Sequence, residues 1–255
     1  MSPPTPLHPV PLALQLWSVK EAIASDFAAT AARVAGLGFV GVELAGYGKL
    51  DARGAKAALD AAGLRVAGMH INPAKLGEIN QIIDEALTVG TKHVTCAFWP
   101  RTLYVSSAAC ERIGERLAEF GANLRASGLR FSFHNHDAEL AVLNGRTVLE
   151  WILGAAAPRD LAMEPDVFWL HYAGYDPARF IHEQGARCPL IHLRDAAEIG
   201  GGPVDYPKVF AAMDTVASAE WLIMEQDRFN HEPFESLRRG MAQLAEWGRV
   251  YTKRP

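Results

Sequence analysis

The sequence has few cysteines, no long apolar run and no excess of positive charge, and each absence excludes a class of protein. Its three cysteines, Cys96, Cys110 and Cys188, lack the CxxC spacing of a zinc or redox motif. A scattered, odd-numbered set favours a reducing cytoplasm over a disulfide framework. No apolar run reaches the roughly 20 residues that a membrane-spanning helix needs.

The charge balance also narrows the partners. A net charge of −4 argues against a nucleic-acid surface, which is normally basic. The proline-rich N-terminus has no charged segment followed by an apolar one, so it does not resemble a secretion signal. We expect residues 1–11 to form an extended lead-in to the first strand.

Short apolar runs alternate with longer helical patterns along the whole chain. We predict strands at Leu12–Leu16, Val40–Leu44, Arg65–Met69, His93–Cys96, Arg130–Phe133, Leu161–Met163, Leu190–Leu193 and Leu222–Met224. We predict helices at Asp26–Leu37, Asp51–Ala62, Leu76–Val89, Ala108–Ser127, Thr147–Leu153, Pro177–Gln184, Tyr206–Thr215 and Glu232–Val250.

Eight such units in 255 residues predict one (β/α)8 TIM barrel domain spanning residues 1–255, because that fold takes roughly 250 residues. The rival arrangement is an open, doubly wound sheet. Its glycine-rich phosphate loop is missing after the first strand, where Trp17 and Lys20 stand instead.

Polar residues recur where the apolar strands end. Glu225 follows strand eight, His192 ends strand seven, and Asp166 lies just beyond strand six. In a TIM barrel the active site lies at these carboxyl ends. Carboxylates beside neutral imidazole suit Mn²⁺, which we favour, as well as Zn²⁺, Co²⁺, Fe²⁺ or Mg²⁺.

Strand five ends in a run of polar side chains. His134 and His136 share a face by the two-residue period, and each could act as a general acid or base or hold a metal ligand in place. Glu139 is the nearest carboxylate able to complete a four-ligand set. The other strand ends supply expected substrate contacts, namely Trp17, Glu43, His70, Trp99, Trp169 and Arg194.

Five motifs in order resemble the xylose isomerase-like TIM barrels, a family of sugar phosphate isomerases and epimerases. They begin at Leu37, His134, Asp166, Ile191 and Glu225 and read LGFVGVE, HNHDAE, DVFW, IHLRD and EQD. The resemblance implies one divalent metal bound by Glu139, Asp166, His192 and Glu225.

The chain departs from the ketose 3-epimerases of that family at three places. Ser132, Trp169 and Glu198 stand where those enzymes carry a glutamate, a histidine and an arginine. The two-glutamate proton shuttle of those enzymes therefore does not transfer. The His-Asn-His form is more similar to the branch acting on keto-sugars, inososes and 3-keto-glycosides.

These observations predict a metal-dependent isomerase or epimerase that acts on a keto-sugar or related carbohydrate through an enediolate, with Glu225, His134 or His136 moving protons. The first alternative is a metal-dependent dehydratase or lyase on an inosose or 3-keto-glycoside. A second is a non-catalytic sugar-binding barrel or a subunit that needs a partner. An apurinic-site endonuclease is disfavoured because Trp169 replaces a zinc ligand and the chain is acidic. We also expect a cytoplasmic protein. Apolar helix faces in this kind of barrel could pair two copies into a homo-oligomer.

Overall fold

A computed structural model describes residues 10–250, and these form eight parallel barrel strands with helices between them. A short antiparallel hairpin pairs Val142–Leu143 with Arg146–Thr147 outside the barrel sheet. The strands are β1 (Leu12–Gln15), β2 (Gly41–Leu44), β3 (Arg65–Ile71), β4 (His93–Cys96), β5 (Arg130–His134), β6 (Ala162–Glu164), β7 (Leu190–Leu193) and β8 (Trp221–Met224). The helices are α1 (Lys20–Ser25), α2 (Phe27–Gly36), α3 (Ala52–Ala62), α4 (Ile79–Val89), α5 (Ser107–Ala126), α6 (Val148–Gly154), α7 (Val167–Tyr172), α8 (Pro177–Gln184), α9 (Tyr206–Val216) and α10 (Pro233–Glu246).

The strands pair in the order β6-β5-β4-β3-β2-β1-β8-β7, all of them parallel. A parallel bridge between Asp166 and His192 joins the two outer strands just beyond β6. The His192 amide donates to the Pro165 carbonyl at 2.9 Å at the same place. The sheet is therefore a nearly closed barrel, and the TIM barrel prediction is confirmed.

The burial of the strands explains why each one appears in the sequence as a continuous apolar run. Most barrel strands are buried along their whole length, as parallel strands covered by helices should be. The predicted and observed strands agree to within a few residues. The short helices α1 and α7 were not predicted, because six residues give too short a period to recognise.

Aspartates fix where several helices begin. The side chains of Asp26, Asp51 and Asp205 accept hydrogen bonds from amides of the first turns of α2, α3 and α9, at 3.0, 2.8 and 3.2 Å. Each such cap is worth about 1 kcal/mol relative to alanine. All three aspartates therefore act as N-caps.

Cys96, Cys110 and Cys188 are buried and free. Across residues 10–250 no helix combines the length and the apolar character needed to cross a bilayer. Most of the expected lead-in, residues 1–9, lies outside the described part of the chain.

Close packing of α5 against the loop before β6 leads to a stability prediction. A Cβ on Gly121 would lie 1.6 Å from the Asp160 carbonyl oxygen, so backbone must move to accommodate it. We expect Gly121→Ala to destabilise the barrel by about 1–3 kcal/mol, the usual cost of overpacking. Urea denaturation followed by circular dichroism measures the change.

Gly36→Ala is the matched control. It lies at the end of α2, and apart from its own helix no described residue comes within 4 Å of a Cβ built there. It should be neutral or stabilise by about 0.5–1 kcal/mol, since alanine is the better helix former. Equal denaturation midpoints for the two variants would contradict the packing argument.

Candidate active site

Four side chains from four consecutive strands meet at the carboxyl end of the barrel. His134 ends β5, Asp166 follows β6, His192 lies in β7, and Glu225 follows β8. Their candidate ligand atoms all lie within 4.8 Å of one another, and all four residues are buried. Three of them, Asp166, His192 and Glu225, belong to the predicted metal set.

Helix α7 sets the direction of the Asp166 carboxylate. Its Oδ1 caps the helix, accepting from the amides of Phe168 and Trp169 at 2.8 and 3.0 Å. Asn135, which directly follows β5, holds the same residue, since its Oδ1 accepts from the Asp166 amide at 3.1 Å. The other oxygen, Oδ2, is buried and has no hydrogen-bond partner in the described structure. Oδ1 of Asp166 thus caps the helix, and Oδ2 is free to bind a ligand.

His192 lies between two groups of carboxylates. Its Nδ1 is 3.0 Å from Glu225 Oε2, and its Nε2 is 2.7 Å from Glu43 Oε2 and 3.4 Å from Glu164 Oε1. These carboxylates therefore hold the His192 ring at both of its nitrogens. Fixing the second nitrogen of a ligand histidine with a carboxylate is a common way of orienting the ring toward a metal.

The second, deeper group combines His70, His134, Glu164 and His192 within the same 4.8 Å limit. Glu43 closes it from below, since Gln15 Nε2 donates to its carboxylate at 2.7 Å and His70 Nε2 lies 3.0 Å away. Gly68 lies opposite Glu43 on the neighbouring strand. A Cβ on Gly68 would lie 2.8 Å from Glu43 Oε1, so this residue leaves the space that the carboxylate occupies.

Burial and neighbouring charges shift the pKa values of these groups in different directions. Burial raises the pKa of Asp166 to about 7, although the Arg194 charge opposes it. Burial alone would lower the pKa of His70, but Glu43 and Glu164 outweigh it and raise that pKa to about 10. For Glu225, burial is outweighed by its hydrogen bond to His192, and its pKa falls below the usual range. Burial thus dominates at Asp166, whereas neighbouring charges dominate at His70 and the hydrogen bond to His192 dominates at Glu225.

The donor set fits a divalent cation. Buried and without a hydrogen-bond partner among the described residues are Asp166 Oδ2, Glu164 Oε1, Glu43 Oε1 and His134 Nδ1. An orphaned buried oxygen is costly unless a hydrogen bond or a metal satisfies it. Mixed nitrogen and oxygen donors suit Mn²⁺, Zn²⁺, Co²⁺ and Fe²⁺.

Glu139, the fourth expected ligand, lies elsewhere. It is buried, but it belongs to neither group of candidate ligands. Its Oε2 accepts from the His136 amide at 2.8 Å, and the Tyr104 hydroxyl donates to its Oε1. The turn Ala138–Leu140 folds this carboxylate back onto the chain, where it holds the backbone of His136.

A cavity of about 410 Å³, here called the inner cavity, lies above the cluster. His134, His136 and Glu225 line it together with Trp17 and Phe98, whose side chains are partly exposed. That volume is ordinary for a small-molecule site. A larger cavity of about 510 Å³ opens at the opposite end of the barrel, around Arg65 and Trp221. Active sites of this fold lie at the carboxyl end, so we assign the site to the inner cavity.

The other expected substrate contacts divide between the cavity and its surroundings. Trp17 and His70 line the inner cavity. Glu43 lies beneath it and Trp99 packs into the apolar core, while its neighbour Phe98 faces the cavity.

Arg194 and Trp169 form a charged support beside the cluster. The Arg194 guanidinium lies 4.8 Å from the Trp169 ring centroid, 2.5 Å from Asp227 Oδ2 and 3.8 Å from Glu225 Oε2. Trp169 also packs against His136, with ring centroids 5.7 Å apart. These contacts favour a role for Arg194 in neutralising acids over the substrate contact that we expected.

Sequence reasoning did not select four contributors to the site, namely Gln15, Phe98, Asn135 and Glu164. Glu164 lies two residues before Asp166, and the sequence favours Asp166 as the ligand and Glu164 as a supporting or structural acid. Gln15 and Asn135 act through hydrogen bonds to the neighbouring strand, and Phe98 acts through its place on the cavity wall.

A model of the xylose isomerase-like TIM barrel family matches residues 31–249, and the chain belongs to that family. A sequence comparison with curated proteins gave no match.

Solved structures show the same fold in proteins of different chemistry. A sugar phosphate isomerase/epimerase from Parabacteroides distasonis ATCC 8503 superposes with a TM-score of 0.85 at 20% identity, covering 96% of each chain. A probable 3-DHS dehydratase from Bacillus anthracis gives 0.72 at 13% identity, covering 92% of this chain and 99% of its own. The 3-keto-D-glucoside 4-epimerase from E. coli gives 0.68 at 14% identity, covering 92% and 99%.

The placement of Glu139 leads to a binding prediction. We expect Asp166→Asn to weaken Mn²⁺ binding by about 10–100-fold or more, because a ligand oxygen is lost. Glu139→Gln should leave the affinity within about threefold, since its carboxylate holds backbone and not the candidate cation site. Isothermal titration of the metal-stripped protein with Mn²⁺ measures both. An equal loss in the two variants would return Glu139 to the ligand set.

Proposed function

We propose that the protein is a divalent-metal-dependent isomerase or epimerase that acts on a keto-sugar or a related carbohydrate through an enediolate. Membership of the xylose isomerase-like family and the likeness to a sugar phosphate isomerase/epimerase support the class of reaction. The substrate is a small molecule that enters the inner cavity.

One observation carries the proposal. His134, Asp166, His192 and Glu225 converge at the floor of a cavity of about 410 Å³, and one buried Asp166 oxygen has no hydrogen-bond partner within residues 10–250. Such a cluster is expensive to bury for stability alone, because unpaired charge in the core is strongly destabilising. A carbohydrate site with a cation at its floor accounts for both the cost and the position.

Asp166, His192 and Glu225, with His134, would hold the cation. When bound, it supplies Lewis acidity that polarises a substrate carbonyl and stabilises developing negative charge. Glu43 and the α7 amides hold the outer edges of His192 and Asp166, so the ligand geometry is set before substrate arrives.

Two groups facing the inner cavity can move the proton next to the carbonyl. Glu225 is a carboxylate whose pKa lies below its usual range, so it is ionised at neutral pH. Burial lowers the pKa of His136 to about 3, so its imidazole is neutral and able to accept a hydrogen bond. Proton return to a second carbon gives isomerisation, and return to the opposite face gives epimerisation.

The cavity walls suit a sugar ring. Trp17 is 48% exposed and Phe98 is 38% exposed, and both border the inner cavity. Exposed aromatic faces with a few convergent polar groups are typical of small-molecule sites. Sugar C–H groups can lie on the rings while the hydroxyls face the polar floor.

Solvent deuterium exchange tests the reaction class before any product is known. We expect Mn²⁺-loaded protein in D₂O to label the carbon next to the carbonyl in at least one of a panel of keto-sugars, as followed by NMR. Chelation should abolish labelling, and added Mn²⁺ should restore it. The same spectra separate an epimer from a dehydrated product. Labelling that survives complete removal of metal would contradict the proposal.

His136→Asn should slow the exchange by about 10²–10⁴-fold, the usual contribution of a general acid or base. His182→Asn is the matched control, because that histidine is exposed on α8. It should keep the rate of the unchanged protein. An undiminished rate in His136→Asn would remove this residue from the proton transfer.

A further inference from the structure

A second cavity of about 370 Å³, here called the outer cavity, opens beside the inner cavity at the same end of the barrel. Its walls are the segment after β2, around Tyr47 and Leu50, the end of β3, and the first turns of α4. Neither the cation cluster nor the proton-transfer groups need a space of this size. It is large enough by itself to hold a small molecule.

The two cavities share one wall. Ala45, His70, Ile71 and Asn72 line both of them. His70 cannot easily move away, because its Nε2 lies 2.8 Å from Glu164 and 3.0 Å from Glu43. Asn72 is held as well, since its Oδ1 accepts from the Ala74 amide at 2.9 Å. A ligand unit in the inner cavity therefore adjoins the outer cavity across a fixed edge.

The outer cavity offers hydrogen bonds on an apolar base. Leu44, Met69 and Ile82 supply apolar surface. Tyr47 and Gln81 donate to the Glu85 carboxylate at 3.1 and 2.8 Å, so three polar side chains are already held in place. This mixture suits a polyhydroxylated ring, which has both C–H faces and hydroxyl edges.

Charge argues against an anionic group in the outer cavity. Among the described residues that line it, Lys75 carries the single cationic side chain that is not already paired with carboxylates, because His70 lies between Glu164 and Glu43. Glu78 and Glu85 oppose the Lys75 charge. A phosphate would face two carboxylates there for one ammonium, and like charges disfavour binding. A neutral unit meets no such repulsion.

We propose that the outer cavity is a subsite for a second, neutral polyhydroxylated unit joined to the keto-sugar. The substrate is then a glycoside or a disaccharide, and not a free or phosphorylated monosaccharide. This inference rests on the proposed function, which places the keto-sugar unit in the inner cavity. Contacts with the second unit would hold the reacting ring over Glu225 and His136, so a truncated substrate should lose turnover as well as affinity.

The test compares matched pairs of keto-sugars in the deuterium exchange assay. One pair is 3-keto-glucose with 3-keto-cellobiose, another is fructose with isomaltulose, and 3-keto-glucose 6-phosphate is the anionic comparison. We expect the two-unit member of at least one pair to exceed its monosaccharide by about tenfold or more in kcat/KM, which corresponds to about 1.4 kcal/mol. The phosphorylated sugar should gain nothing over its parent.

A cavity-filling variant locates the effect. Gln81 is exposed in the first turn of α4, and it lines the outer cavity but not the inner one. Gln81→Trp should therefore fill the outer cavity. It should lower kcat/KM for the two-unit sugar by about tenfold or more and leave the monosaccharide within about twofold. Glu119→Trp, at an exposed position of α5, should change neither value.

The possible results of these assays distinguish a failure of the subsite proposal from a failure of the proposed function. Exchange with monosaccharides and disaccharides at equal kcat/KM would overturn the subsite and leave the proposed function standing. The same conclusion would follow if Gln81→Trp slowed both members of a pair alike, or if the phosphorylated sugar were preferred. Absence of exchange with every sugar would overturn the proposed function and the subsite with it.

Discussion

The position of His192 between two groups of carboxylates is the interaction on which the site depends. One ring nitrogen faces Glu225 and the other faces Glu43 and Glu164, all inside the barrel. Carboxylates at this depth need positive charge or hydrogen bonds, since desolvation otherwise drives them to the neutral form. An imidazole or a cation must therefore stay among them. This requirement links the stability of the barrel interior to the chemistry that it can perform.

The scaffold meets that requirement with backbone as much as with side chains. The Asp166–His192 bridge that joins the two outer strands also brings two candidate ligands together. Helix α7 takes one oxygen of Asp166, and Gly68 leaves room for Glu43. The contact that closes the barrel thus also brings the candidate ligands of the site together. A change that opened the β6–β7 edge would be expected to disperse the ligand cluster.

Family membership limits the reaction more than the substrate. Proteins with this fold include a sugar phosphate isomerase/epimerase, a probable dehydratase and a keto-glucoside epimerase, all at 20% identity or less. A fold hosts many chemistries, so function has to be argued from the site. In this chain the informative parts are the loops around the cavities, where Trp17, Phe98 and Tyr47 lie. Loops at the carboxyl ends of barrel strands are where substrate choice is made in this architecture.

The sequence by itself determined the barrel, its strand positions and the end at which polar side chains gather. Eight buried strands gave eight readable apolar runs, and parallel strands carry their ends to one face. Only the tertiary structure decided which side chains meet. Glu139 turns back to the His136 amide, and Glu164 joins the cluster. Phe98 faces the cavity, and Trp99 packs into the core. Spacing along a chain sets the depth of a residue in the barrel, but the turn after each strand sets the direction of its side chain.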